Sequence, residues 1–119
     1  VFGDWSSDVC SSDLTRAKGF DTFCPLGPWI ETDIDPSDIL ITCRVNDEIR
    51  QMASTREMVF NIPQLVVYIS SVMTLFAGDV ILSGTPAGVG RLEPNDRITI
   101  SIEGIGDLVN HVKRDPHAP

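Results

Sequence analysis

At 119 residues, with nine Lys and Arg against seventeen Asp and Glu and a net charge of −8, the chain is one acidic domain at most. The carboxylate excess lacks the cations whose counterion release drives nucleic-acid binding, and it offers no attraction to an anionic membrane. The longest mostly apolar stretch, 62–77, is broken by Pro63, Gln64, Ser70, Ser71 and Thr74 and falls short of a bilayer span, so neither nucleic acid nor membrane is an expected partner. Cys10, Cys24 and Cys43 form no CxxC pair and have no histidine nearby to complete a zinc site, a usage that suits a reducing, cytoplasmic setting.

The first fourteen residues stand apart. VFGDWSSDVCSSDL begins without methionine and repeats Ser-Ser-Asp at 6–8 and 11–13. It has neither an apolar period nor the basic start and apolar core of a signal peptide. Residues 3–14 resemble one reading frame of a sequencing adapter, so 1–14 is expected to be a non-native leader. Without Asp4, Asp8 and Asp13 the net charge becomes −5, and Trp5 and Cys10 lose their meaning.

From Thr15 onward, turn signals divide short strands. Strands are expected at 39–45 and 48–52, joined by Asn46-Asp47, a pair that tolerates positive φ and suits a tight hairpin. The spacing predicts a helix over about 62–76: Asn61 caps it, Pro63 sits in the first turn, and Leu65, Val66, Ile69, Val72 and Met73 recur at three and four residues. Gly78 is expected to end it, and its stripe reads as core packing rather than a ligand or membrane face. A short apolar strand, 80–82, then leads into a glycine turn. Over 97–103, Ile98, Ile100 and Ile102 alternate with Thr99, Ser101 and Glu103, the pattern of a half-buried antiparallel strand. Residues 108–112 return beside it through Gly104-Ile105-Gly106, and 114–119 form a frayed tail.

Candidate chemistry centres on Ser83-Gly84-Thr85-Pro86-Ala87-Gly88-Val89-Gly90. A phosphate loop needs Lys and Ser or Thr after its last glycine, whereas Arg91-Leu92 follow and Pro94 opposes a helix start. The glycine spacing also fails the dinucleotide pattern. A structural tight turn therefore competes with a loop whose exposed amides and Thr85 hydroxyl hold a carboxylate or oxyanion. Lys18, between small and aromatic residues, is either a solvated surface group or a charge held near an apolar wall. His111 and His117 lack partners at ligand spacing. Asp33, Asp35 and Asp38 lack the glycine and terminal glutamate of an EF-hand, so spacing assigns no metal ligand.

Four ordered stretches carry a resemblance: AKGFDTFCPLGPW at 17–29, VNDEIRQ at 45–51, GDVILSGTPAGVG at 78–90 and IEGIGDLVN at 102–110. Together they closely resemble the C-terminal part of the catalytic domain of the fumarylacetoacetate hydrolase family, from about Thr15 to Val112. The resemblance implies an α+β, mainly β fold of packed sheets or a β-roll with one main helix, truncated at its N-terminus. Residues 15–113 would then be a partial catalytic domain. It implies an enzyme acting on small dioxo and oxo acids by C–C bond hydrolysis, decarboxylation or isomerisation, as in acylpyruvate hydrolase, oxaloacetate decarboxylase and hydroxymuconate isomerase. It also implies a Mg2+ or Mn2+ cofactor acting as a Lewis acid, and a homodimer when full-length. By resemblance, Lys18 is the catalytic lysine that stabilises an enolate or carboxylate near the metal-bound oxygens. Thr22 lies near the metal and its water shell. Thr85 and Gly84 belong to the turn that contacts the substrate. Asp47 departs from the usual Asn-Gly hairpin at a modest expected cost.

The family's Glu-x-Glu pair and Asp that chiefly hold the metal lie upstream of the Lys-Gly-Phe motif, where this chain carries the leader. No Glu precedes Lys18, and Asp4, Asp8 and Asp13 stand in the wrong context. The fragment itself is therefore expected to be inactive. A catalytically silent, β-rich dimerisation piece is the alternative.

Overall fold

The computed structural model describes residues 19–114; the leader, Lys18, His117 and nearly all of the expected tail lie outside them. Four antiparallel strands form one sheet of order β2-β1-β3-β4: β1 (Leu40–Val45), β2 (Glu48–Ser54), β3 (Arg97–Ile102) and β4 (Gly106–His111). A 3-10 turn, Thr55–Glu57, follows β2, and one α-helix, α1 (Ile62–Val72), precedes the glycine turn. Among the described residues the architecture is mainly β with one α-helix, as expected.

The β1–β2 hairpin forms where the sequence allows left-handed backbone. Asn46 and Asp47 have φ of 50° and 71°, and Val45 pairs with Glu48 across the turn. Asn46 does more than turn the chain. Its Oδ1 accepts the Arg97 amide hydrogen at 2.9 Å and its Nδ2 donates to Asp96 Oδ1 at 2.6 Å. The hairpin tip is thus tied to the start of β3. The other Asp96 oxygen accepts the Glu93 amide at 2.7 Å. That backbone bond and the Asn46 amide hold the Asp96 carboxyl below its ordinary pKa.

Register places the apolar residues on one face. Ile41, Cys43 and Val45 of β1 stand opposite Ile102, Ile100 and Ile98 of β3, and Ile100 stands opposite Leu108 of β4. The three isoleucines therefore share a face, as their alternation predicts. Ile39, Cys43 and Val45 are buried, and burial pushes the Cys43 thiol up, so it packs as a neutral group. The β1–β2 ladder slips between Cys43 and Arg44: Arg44 faces Ile49 whereas Cys43 faces Gln51, which leaves Arg50 as the extra residue of a β-bulge. The slip brings Gln51 onto the apolar face.

The start of α1 agrees with the expectation. Asn61 Oδ1 accepts the Gln64 amide and Gln64 Oε1 accepts the Asn61 amide, each at 2.9 Å, with Pro63 in the first turn. Its end does not. The helix stops at Val72 rather than 76, with Met73 as cap in an extended conformation. Three local side-chain bonds accompany this end. The Ser70 and Ser71 hydroxyls donate back to the carbonyls of Val67 and Tyr68, and Asp79 Oδ2 takes the Phe76 amide at 2.8 Å into a separate turn containing Gly78.

The stripe expected to form core is largely uncovered among the described residues. No residue of α1 is buried among the described residues: within the stripe Leu65 and Ile69 are half-buried, whereas Val66, Val72 and Met73 are 40%, 67% and 58% exposed. Among the described residues no strand packs extensively against the helix. Likewise 80–82 joins no ladder, and Leu82 is 76% exposed. Residues 80–82 are apolar enough for a strand, but among the described residues no strand pairs with them.

Candidate functional site

The turn at 83–90 is seated on the edge strand β2. Gln51 holds it there: its Nε2 donates to Thr85 Oγ1 at 2.7 Å and to the Pro86 carbonyl at 2.7 Å. Gln51 is only 5% exposed. A polar side chain on an apolar face is costly unless paired, and this one is paired with the turn itself. Three residues on, Gly88 passes so close to β2 that a Cβ there would lie 1.9 Å from the Arg50 carbonyl oxygen. With φ of +104° the position is closed to other residues on both counts. A shallow recess lies beneath, lined by Cys43, Val45, Gln51, Gly88, Leu92 and Ile98.

Thr85 and Gly84 are solvent-exposed on the outer side of this seat, and Gly84 has φ of +102°. The chain after Gly90 runs through a turn at Pro94-Asn95 into β3, with no helix start to supply a phosphate-binding N-terminus. The geometry accordingly offers a hydroxyl and nearby backbone groups at the surface above a buried amide, an arrangement that suits one oxyanion or carboxylate.

Thr22 lies in a separate turn: it is exposed, its φ is 68°, and it turns the chain between Phe20 and Phe23, whose backbone bond closes at 3.1 Å. A β-branched residue in the left-handed region is a backbone outlier of the sort found at functional turns. Thr22 shares no hydrogen bond with the glycine turn among the described residues. Lys18 falls outside the described residues.

Most carboxylates that spacing left unassigned have local uses. Asp35 Oδ1 accepts the Ser37 amide at 3.0 Å, Glu31 Oε1 accepts the Asp33 amide at 2.8 Å, and Asp38 pairs with Arg56 at 3.4 Å and with the Ser54 hydroxyl. His111 is exposed on β4. Among the described residues no group of three or more His, Cys, Asp or Glu side chains could hold a metal ion, so this part of the chain does not fit a metal centre. No described helix is long and apolar enough to cross a membrane.

Gln51 is the residue that sequence reasoning passed over. It stands within a recognised motif, but strand alternation from Glu48 gives no hint that a bulge carries it under the glycine turn. The usable signal was an unpaired polar residue in a strand whose partner face is Cys43, Val45 and three isoleucines.

Comparison with known proteins places this arrangement. The family model for the C-terminal domain of fumarylacetoacetate hydrolase matches residues 1–113. The chain is 55% identical to the crystal structure of 5-carboxymethyl-2-hydroxymuconate delta-isomerase from Mycobacterium smegmatis, with a TM-score of 0.82 over 84% of this chain and 40% of that one. It is 44% identical to maleylpyruvate hydrolase from Sphingobium, solved in complex with manganese(II) and pyruvate, with a TM-score of 0.79 over 82% and 38%. Mitochondrial oxaloacetate tautomerase from Bos taurus is 40% identical over 119 residues, 92% of this chain and 38% of the relative. The chain thus spans less than half the length of each. Family model, relatives and fold agree: the chain belongs to the fumarylacetoacetate hydrolase family.

Proposed function

We propose that the full-length protein carrying this chain is an enzyme acting on a small oxo acid, and that residues 83–90 bind the substrate's carboxylate or oxo group. The observation that carries the reading is the exposed Thr85 hydroxyl held from below by the buried Gln51 amide. The similar proteins are an isomerase, a hydrolase and a tautomerase whose names share oxo or hydroxy acid substrates. These reactions have in common the making and quenching of an enolate next to a carboxylate. Hydrolysis, decarboxylation and isomerisation are branches of that chemistry.

In this reading Thr85 and the turn's amides orient the acid group, and Lys18 places a fixed positive charge beside the developing enolate, where a water-poor setting raises its value. Thr22 stands near the metal's water shell. The cofactor would be Mg2+ or Mn2+, held by a Glu-x-Glu pair and an Asp that this chain does not contain, and it would supply Lewis-acid polarisation of the substrate oxygens. The manganese and pyruvate of the Sphingobium hydrolase support the choice of ion and ligand class.

A second reading draws on a different observation. The uncovered face of α1, with the exposed Val59, Phe76 and Leu82, supports burial of this segment against another part of the protein or a second copy. A homodimer in a reducing compartment such as the cytoplasm accommodates both this and the free Cys24 and Cys43. The test of function is an assay of the full-length protein, with Mg2+ and with Mn2+, on oxaloacetate, an acylpyruvate and a hydroxymuconate-type acid. Turnover of at least one substrate is expected; no metal-dependent change in any of them would refute the proposal.

A further inference from the structure

We propose that Gln51 is a positioning residue that fixes the Thr85 hydroxyl as an outward hydrogen-bond donor, and so sets the turn's preference for an anionic oxygen acceptor. The inference rests on the reading of Thr85 as a substrate contact and goes one residue deeper.

Donor direction at Gln51 is fixed by its partners. A glutamine amide can in principle present either its oxygen or its nitrogen to a neighbour. Here the Pro86 carbonyl decides, because it can only accept, and at 2.7 Å it requires the nitrogen. The same nitrogen lies 2.7 Å from Thr85 Oγ1, so its second hydrogen goes to the hydroxyl oxygen. Both amide hydrogens are then committed. Thr85 Oγ1 is made an acceptor toward Gln51, and its own hydrogen must point elsewhere. Among the described residues no acceptor takes it. Thr85 is exposed, so that hydrogen is left to be donated to solvent or to a ligand.

Burial makes the arrangement rigid. Gln51 is 5% exposed on the apolar face of the sheet, where no water competes freely for its amide. The bulge at Arg50 brings it to that face, and the close approach of Gly88 to the Arg50 carbonyl keeps the turn from lifting away. A hydroxyl free to rotate accepts from an alcohol or amide as readily as it donates. One whose oxygen already accepts from Gln51 keeps its hydrogen to donate and has one fewer lone pair to accept with, which shifts its preference toward a carboxylate or a polarised carbonyl.

The experiment is a double-mutant cycle on the full-length protein, with pyruvate as the probe, its affinity measured by calorimetry in the presence of Mn2+ beside each variant's melting temperature. Thr85→Val is expected to weaken pyruvate about tenfold to hundredfold. Gln51→Glu keeps the size but offers an acceptor, and should weaken pyruvate by about tenfold or more in the Thr85 background. In the Thr85→Val background it should add less than about twofold, because its path to the ligand is gone. Gln51→Met should follow the same pattern. A Gln51→Glu protein that binds pyruvate normally while Thr85→Val does not would overturn the Gln51 role and leave the Thr85 reading intact. So would an equal loss in both backgrounds, which is the signature of a merely structural residue. Normal pyruvate binding by Thr85→Val would instead sink the Thr85 reading, and the present inference with it. Should the Gln51 variants not fold, NMR of the native protein decides: both Gln51 side-chain amide hydrogens should be protected and shift on pyruvate addition, and resonances indifferent to pyruvate would overturn the proposal.

Discussion

Gly88 and Lys18 illustrate two kinds of residue-level dependence. At Gly88 the constraint is steric and visible: Gly88→Ala drives a methyl into the Arg50 carbonyl at a position with φ of +104°. The turn must lift off β2, and the expected cost to stability is roughly 3 kcal/mol; a melting temperature within a degree of wild type would contradict the close approach. Lys18 belongs to the proposed chemistry. Lys18→Met in the full-length enzyme should lower kcat about a hundredfold, on the order of 3 kcal/mol of transition-state stabilisation, with little change in melting temperature. Near-native turnover would return it to a solvated surface group. The exposure of Thr85 was legible from sequence, since a hydroxyl in a glycine-rich turn after a short apolar run is readily left at the surface. Gln51 was not, because its position depends on a one-residue bulge that no alternation pattern encodes.

At the scale of elements, local chemistry was readable wherever it acted alone. Asn46-Asp47 allows the hairpin by backbone preference, the isoleucines of β3 alternate, and Asn61 with Pro63 fixes the start of α1. Reading failed where two local preferences competed. The apolar period continues past Val72, but the Asp79 carboxylate takes the Phe76 amide that a longer helix would use, and the Ser70 and Ser71 hydroxyls bond back onto the last turns. The link between the hairpin tip and β3 carries a pH dependence with a definite sign. Asp96 is held below its ordinary pKa chiefly by the Glu93 amide and then by Asn46, so its stabilisation is complete above the unfolded value and is lost as pH falls through the folded one. Asp96→Asn should therefore melt below wild type at neutral pH, with the gap closing as pH drops below about 4. A gap that is constant from pH 7 to 3 would contradict the assignment.

For the molecule as a whole, the sheet has one well-formed apolar face while α1 and the residues after it carry apolar side chains that nothing described covers. Sequence patterning identified α1 as a core helix but could not say which surface completes the core, since amphipathicity reports a face and not its partner. The 119-residue chain by itself is expected to self-associate and to lack detectable turnover of oxaloacetate or acylpyruvates, because hard cations need several oxygen ligands and the described residues gather none. A monodisperse monomer with Mg2+-dependent turnover would contradict this. The central claim, that the turn held on β2 by Gln51 binds the acid group of an oxo acid, is tested most directly by the steady-state kinetics of Thr85→Val in the full-length enzyme. Losing a hydroxyl that hydrogen-bonds a charged ligand removes roughly 1.5–3 kcal/mol, so KM should rise about tenfold to hundredfold while the melting temperature stays near wild type. An unaltered KM accompanied by a lowered melting temperature would make the turn a structural feature and contradict the account.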